Sequence, residues 1–184
     1  MTQQQHFSEL CSRPSDINEH LDTLRFYANQ VKHVTEMGVR SVVSTFAFLM
    51  GKPEYLVSID INHPSKYSGG TNNLALAKQY ADENNIDFIF QLGDTRKIKI
   101  DPTDFLFIDT WHVYEQVKEE LRLHADSVST YIGFHDTTTF ADRGESSGHV
   151  GLWPAIEEFL DEHPEWKIEV RRTNNNGLTI LKRV

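Results

Sequence analysis

Apolar residues along this 184-residue chain follow two alternating spacings. Short continuous runs give way to stretches in which apolar positions recur every three or four residues. These are the patterns of a buried strand and of an amphipathic helix. Residues 1–15 are polar, carry Pro14 and read as a loose lead-in. Asp16 is placed to cap a helix whose face is Ile17, Leu21, Leu24 and Ala28. A first strand over 32–36 runs into Glu36-Met37-Gly38. Val42, Phe46, Leu49 and Met50 then repeat at helical spacing until Gly51-Lys52-Pro53 stops them. The second strand, 55–61, carries Asp60 near its end, and a Gly/Ser/Pro-rich loop covers 62–71. Leu74, Ala77 and Ala81 mark the next helix, and 88–92 is a third strand closed by Gly93-Asp94.

The fourth run is the most apolar: Phe105 to Ile108, bounded by Asp104 and Asp109, with His112 three residues on. Tyr114, Val117 and Leu121 give the following helix. A fifth strand, 130–134, ends in His135-Asp136. Residues 137–150 have no periodicity, and a loop of that length in a compact domain is usually functional or mobile. Leu152, Ile156, Phe159 and Leu160 mark the last helix. Two final strands, 166–170 and 178–181, are joined by Asn174-Asn175-Asn176-Gly177, a strong hairpin signal. Five strand–helix alternations predict an α/β fold, a Rossmann-like doubly wound sheet of about seven strands, mostly parallel with an antiparallel C-terminal hairpin. The whole of 1–184 reads as a single domain.

Composition narrows the function classes. Hydrophobic residues at 39% and charged residues at 24% describe an ordinary globular protein. No run approaches the ~20 residues of a membrane span, and the first residues lack a signal-peptide pattern. Cys11 is alone, so no internal disulfide or thiolate cluster forms, and a cytoplasmic protein is expected. The net charge of −9 argues against nucleic acid as a partner.

The candidate chemistry sits at strand ends, where open α/β sheets bind ligands. In the turn Glu36-Met37-Gly38-Val39-Arg40-Ser41, Gly38 lets a ligand approach the backbone. A pyrophosphate-binding turn needs three glycines, and here there is one, which weighs against an NAD-dependent oxidoreductase. Asp60 lies near the ~20-residue spacing at which an acid receives a ribose diol. Asp94, at the third strand end, is suited to an adenine amino group. Asp109, His112, His135 and Asp136 close strands four and five, which are neighbours in a doubly wound order. Two acids and an imidazole can hold a divalent cation, and a free imidazole can act as a general base. Trp111, Tyr114 and Trp153 are candidates for the walls of a substrate or adenine pocket.

These residues resemble the class I S-adenosylmethionine-dependent methyltransferases, from about residue 30 onward. The likeness is greatest to the compact O-methyltransferases of sugar and antibiotic biosynthesis, the macrolide-sugar and cephalosporin-hydroxylase-like groups. It is carried by Glu36-Met37-Gly38, Ser58-Ile59-Asp60, Phe107-Ile108-Asp109-Thr110-Trp111-His112-Val113-Tyr114, His135-Asp136, and Gly148-His149-Val150-Gly151-Leu152-Trp153. The resemblance implies methyl transfer from S-adenosylmethionine to a hydroxyl of a small-molecule acceptor, a sugar or sugar-like group. It puts Glu36 and Gly38 by the methionine part of the cofactor, Asp60 by the ribose and Asp94 by the adenine, with Ser41 and Asp109 also among the cofactor-binding residues. It implies His112 as the base, with Asp109 and Asp136 to orient it directly or through a cation, and Asp109, His135 and Asp136 as ligands to Mg2+. His135 stands where the metal-holding members have Glu, and Arg40 and Ser41 follow where a second glycine is usual. A lid over so short a chain must come from the N-terminal helix, the 137–150 loop or a second subunit of a homo-oligomer. The rival expectation is a non-catalytic nucleoside- or partner-binding protein of the same fold.

Overall fold

The computed structural model describes residues 2–184. Helix α1 (Gln3–Ser12) comes first, then a 3-10 turn (Asn18–His20) leading into α2 (Leu21–Ala28), strand β1 (His33–Met37), α3 (Val43–Gly51) and β2 (Tyr55–Asp60). Next come α4 (Gly70–Asn84), β3 (Asp87–Leu92), β4 (Thr103–Ile108), α5 (Tyr114–His124) and β5 (Val128–His135). The chain finishes with α6 (Trp153–Glu162), β6 (Trp166–Arg172) and β7 (Leu178–Arg183). The seven strands form one sheet in the order β3-β2-β1-β4-β5-β7-β6. The pairs from β3 to β5 are parallel, and β7 runs antiparallel to both β5 and β6. The doubly wound sheet and its C-terminal hairpin are those expected from the sequence.

Sequence periodicity explains the layering. In the central strand β4, Phe105 and Phe107 turn to one face and Leu106 and Ile108 to the other, all buried. A parallel strand covered on both faces has no polar side to show. Phe105 and Phe107 pack with Leu24 of α2, Phe48 of α3 and Leu74 of α4. Leu106 and Ile108 pack with Val117 and Leu121 of α5 and Ile156 of α6. The order reverses between β1 and β4: the chain leaves β1 toward β2 and β3 and returns on the other side as β4. The crevice at their carboxyl ends is therefore the topological switch point, where ligands bind in this architecture.

The N-terminal expectation needs correction. The first fifteen residues are no loose lead-in, although Met1 lies outside the described residues. Residues 3–12 form a helix started by a capping box: Gln5 N–H donates to Thr2 Oγ1 (3.2 Å) and Thr2 N–H to Gln5 Oε1 (2.9 Å). Phe7 is its one fully buried residue, and burying such a ring stabilises by roughly 2 kcal/mol. Asp16 is not the cap of the next helix. The N-cap of α2 is His20, with no side-chain cap bond; Ser15 Oγ accepts from Asn18 N–H (3.0 Å) in the turn before it, while Asp16 pairs with Arg40 (3.3 Å).

Candidate active site

A cavity of about 720 Å³ lies across the carboxyl ends of the parallel strands, within the size range of small-molecule sites. Its lining includes Gly38, Ser41, Asp60, Asp94, Asp109 and His112, so most of the site residues expected from sequence meet in one place. Gly38 is there for packing. It has a φ of +88°, and a Cβ built on it would fall 1.9 Å from the Asp109 carbonyl oxygen. Asp109 N–H donates to Met37 O (2.8 Å) and Gly38 N–H to Ile59 O (2.9 Å), which ties together the ends of β1, β2 and β4. Ser41 is anchored through its carbonyl, which accepts from Asn73 Nδ2 (2.8 Å).

The turn after Gly38 is closed by Asp60. Its Oδ2 accepts from Val39 N–H (2.8 Å) and Arg40 N–H (2.9 Å), and its Oδ1 from Asn62 N–H (2.7 Å). Arg40 and Val42 take left-handed backbone angles, φ 42° and 70°, which are uncommon outside glycine and unusual for a β-branched residue. At the third strand end, Asp94 pairs with Arg96 (3.3 Å) and Lys97 (3.2 Å). Burial opposes its charge, but hydrogen bonds from Arg96 and Lys97 win and hold its carboxyl below the usual range.

Glu36 is not among the residues lining this cavity, contrary to the expected contact with the cofactor. Its carboxylate turns inward, fully buried, and accepts from Ser44 Oγ, Thr45 Oγ1 (2.7 Å) and Ser58 Oγ (2.5 Å). Burial raises its pKa to about 7 against the opposing pull of those hydroxyls. A strand alternates its side chains, and in β1 the residue that reaches the cavity is the one at the turn, Gly38.

At the ends of β4 and β5, Asp109, His112, His135 and Asp136 do converge. His112 Nε2 lies 3.1 Å from Asp109 Oδ1 and 2.9 Å from Asp136 Oδ2. Its Nδ1 lies 3.1 Å from Glu145 Oε2, and its ring stacks on Phe140 at 5.1 Å. Both ring nitrogens thus face carboxylates. Burial works against the charge, but the bonds to Asp109 and Asp136 outweigh it and push the imidazole up to about 10. Asp109 is correspondingly held well below the carboxylate range by His135 and His112, in spite of its burial. Asp136 has φ 59°, a strained angle of the kind that collects at functional sites. Its Oδ1 is buried and has no partner.

His135 departs from its expected place. Its Nδ1 reaches Asp136 Oδ2 at 3.2 Å and Asp109 Oδ1 at 3.4 Å, but it is buried behind them and does not line the cavity. Its ring meets His20 edge-on at 5.7 Å, and the His20 Nε2–H donates to the carbonyls of Asn174 and Asn175 (both 3.0 Å). Among the described residues, the group with metal-ligand spacing is Asp109, His112 and Asp136, with ligand atoms within 4.8 Å of one another. His112 therefore takes the position expected of His135.

Of the three aromatics, only Trp111 lines the cavity; its Nε1–H donates to Ser146 Oγ (3.1 Å). Tyr114 Oη donates to Glu158 (2.8 Å), and Trp153 is buried under the Arg171 guanidinium. Glu145, Thr95 and Gln116 line the site as well and are not found by the motifs. Glu145 falls in the aperiodic 137–150 loop, so the loop's length was the available signal. The other two carried none.

No family model and no curated protein matches the sequence. Solved structures do match over nearly the whole chain. A candidate caffeoyl-CoA O-methyltransferase from Staphylococcus aureus superposes with a TM-score of 0.67 at 18% identity, covering 98% of this chain and 90% of that one. An O-methyltransferase from Bacillus cereus in complex with SAH gives 0.62 at 13%, covering 99% and 90%. The O-methyltransferase TomG from Streptomyces achromogenes, in complex with SAM, gives 0.62 at 14%, covering 99% and 86%. The fold is that of the S-adenosylmethionine-dependent O-methyltransferases. Among the described residues no helix is long and apolar enough to cross a membrane.

Proposed function

We propose that this protein transfers a methyl group from S-adenosylmethionine to a hydroxyl of a small acceptor, a sugar or sugar-like molecule. The observation that carries the assignment is one cavity shared by two kinds of wall. Gly38, Asp60 and Asp94 line it at the β1, β2 and β3 ends, and Asp109, His112 and Asp136 line it at the β4 and β5 ends. A nucleoside needs the first set. A hydroxyl that must lose its proton needs the second.

The methyl group is already activated on a sulfonium, so the chain has to align an in-line displacement and manage one proton. Gly38 lets the β1 turn close onto the Asp109 backbone and sets that turn against the cofactor. Asp60 is the acid for the ribose hydroxyls and Asp94 the acid for the adenine amino group. His112 is fixed between Asp109, Asp136 and Glu145, and the acceptor hydroxyl loses its proton to this imidazole–carboxylate cluster. Held between carboxylates, His112 carries a proton on both nitrogens, so it takes the acceptor's proton only after passing one of its own to a neighbouring carboxylate. Asp136 Oδ1, buried without a partner, is the open acceptor for the incoming hydroxyl.

The same residues suit a divalent cation. Asp109, His112 and Asp136 would hold it, and the imidazole in the set fits a transition-metal ion better than Mg2+, which prefers oxygen ligands. When bound, such an ion supplies Lewis-acid polarisation of the hydroxyl.

Non-catalytic nucleoside binding is the second assignment. It is favoured by the turn itself, where Arg40 and Val42 are left-handed and Asp60 is engaged by backbone N–H groups. Isothermal titration with S-adenosylmethionine and S-adenosylhomocysteine tests the common step: no heat from either ligand removes the methyltransferase assignment. Intact-mass detection of methylated acceptors, with His112→Ala as the control, separates enzyme from binder.

A further inference from the structure

Beneath the cavity, between Asp94 and the β4 end, lies a second carboxylate that the mechanism does not use. Glu120 of α5 is completely buried. Its Oε1 accepts from Thr95 Oγ1 (2.5 Å) and Gln116 Nε2 (2.7 Å), and its Oε2 from Thr110 Oγ1 (2.9 Å). Thr95, Thr110 and Gln116 all line the cavity, and Glu120 does not. Gln116 Nε2 also donates to Thr95 Oγ1 (3.2 Å). The backbone of Thr95 is fixed from below by buried His124, whose Nε2–H donates to its carbonyl (2.7 Å).

A hydroxyl has one hydrogen to give, and a side-chain amide has its donors on one atom. Each hydrogen that Thr95 and Thr110 can donate is directed at Glu120. Gln116 likewise turns its Nε2 inward, so its Oε1 is the group it can offer outward. The three side chains can therefore present only lone pairs to a ligand. Asp94 beside them is also an acceptor, and Arg96 turns its Nε and Nη2 donors onto it (3.3 and 3.4 Å). Thr95, Thr110, Gln116 and Asp94 thus form a side-chain surface of acceptors, because Glu120, although burial pushes its carboxyl up, takes the donors of the first three.

We propose that Glu120 is a positioning residue that sets the base specificity of the cavity. It holds Thr95, Thr110 and Gln116 as acceptors, so that the site takes a base with an exocyclic amino group and refuses one with a carbonyl in that place. A 6-oxo purine would present an acceptor to a wall of acceptors. A site built around hydrogen-bonding groups discriminates strongly, because the wrong ligand leaves them unpaired. The inference rests on the nucleoside half of the function proposed above and extends it from adenosyl binding to the origin of the selectivity.

The test is calorimetric titration of S-adenosylhomocysteine and its deaminated counterpart, S-inosylhomocysteine, on wild type, Glu120→Gln and Thr110→Val. Wild type is expected to prefer the amino ligand by at least about tenfold, a modest share of the discrimination that polar sites achieve. In Glu120→Gln the amide can donate to a threonine oxygen, which frees that hydroxyl to turn outward, and the preference falls to about threefold or less. Thr110 is only partly buried, so Thr110→Val keeps the fold testable if the core variant does not, and it narrows the preference in the same direction. A purely structural role for Glu120 weakens both ligands together and leaves their ratio unchanged, which overturns the inference. Equal binding of both ligands by wild type overturns it as well, while leaving the methyltransferase assignment standing. If wild type binds neither ligand, the nucleoside site itself is refuted.

Discussion

Gly38 and Asp109 touch through their backbones: a methyl group on Gly38 would fall 1.9 Å from the Asp109 carbonyl oxygen. That contact joins the turn after β1 to the end of β4, which carries Asp109. Gly38→Ala meets both this clash and an unfavourable φ of +88°. It is expected to lower stability by about 3 kcal/mol, toward the upper end of ordinary substitutions, and to abolish cofactor binding. Urea denaturation and titration with S-adenosylhomocysteine check the two halves separately.

Arg40→Gly should behave in the opposite way. The left-handed backbone of Arg40 costs roughly 1 kcal/mol, and glycine removes that cost while adding a similar loss of chain entropy. Its ion pair with Asp16 is exposed and contributes little. Stability should stay within about 1 kcal/mol of wild type, and affinity for S-adenosylhomocysteine should hold or improve. A tenfold loss of affinity in a stable variant would show that the arginine side chain itself is needed.

Glu36 makes stability depend on pH. Its pKa rises from 4.5 in the unfolded chain to about 7 in the fold, so the folded state holds a proton that the unfolded state gives up. The associated stability is fully present below pH 4.5 and is lost as pH rises through about 7. For a group with no exposure the change amounts to about 3 kcal/mol. Glu36→Gln removes this component, because an amide can still bond to Ser44, Thr45 and Ser58. Denaturation of wild type and variant from pH 4.5 to 8 checks it, and parallel curves refute it.

His112 and His135 share the same two carboxylates but face different ways. His112→Ala should cut turnover by about 10²-fold or more and leave affinity for S-adenosylhomocysteine within threefold. His135→Ala, which opens a buried ion pair, should cost about 3 kcal/mol of stability. Steady-state rates and chemical denaturation tell the two apart. If His135→Ala is fully stable and inactive, it belongs with the reacting groups.

Addition of Mn2+ provides a test of the metal cluster. A dication at about 100 times its Kd adds ~2.7 kcal/mol to stability, and Asp136→Asn should abolish the gain. An unchanged melting curve and an unbroadened manganese resonance signal would rule the ion out.

The sheet was readable from the chain because its strands are buried runs such as Phe105–Ile108, and its hairpin is announced by Asn176-Gly177. Helix α1 was hidden because only Phe7 along it is fully buried, and its true signal, Thr2 with Gln5, is a capping box rather than a hydrophobic stripe. The strand-end rule found Asp60, Asp94 and Asp109. It could not tell that Glu36 points inward or that His135 lies behind Asp109, since facing depends on twist and on neighbours from distant parts of the chain. Glu120 was invisible for the same reason: a helical glutamate normally faces water, and only Thr95, 25 positions away, shows why this one does not.

The hairpin turn has a further consequence. Asn174 and Asn175 hold His20 through their carbonyls, and Asn176 O accepts from the N–H groups of Thr138 (2.8 Å) and Thr139 (3.0 Å). Strand β7 is also the partner of β5, beginning opposite His135. A nascent chain therefore displays the β5 end with one flank bare until β7 has been made. The N-terminal segment around His20 must wait for it too, so the Asp109–His112–Asp136 cluster gains its backing only once residues 174–183 have been made.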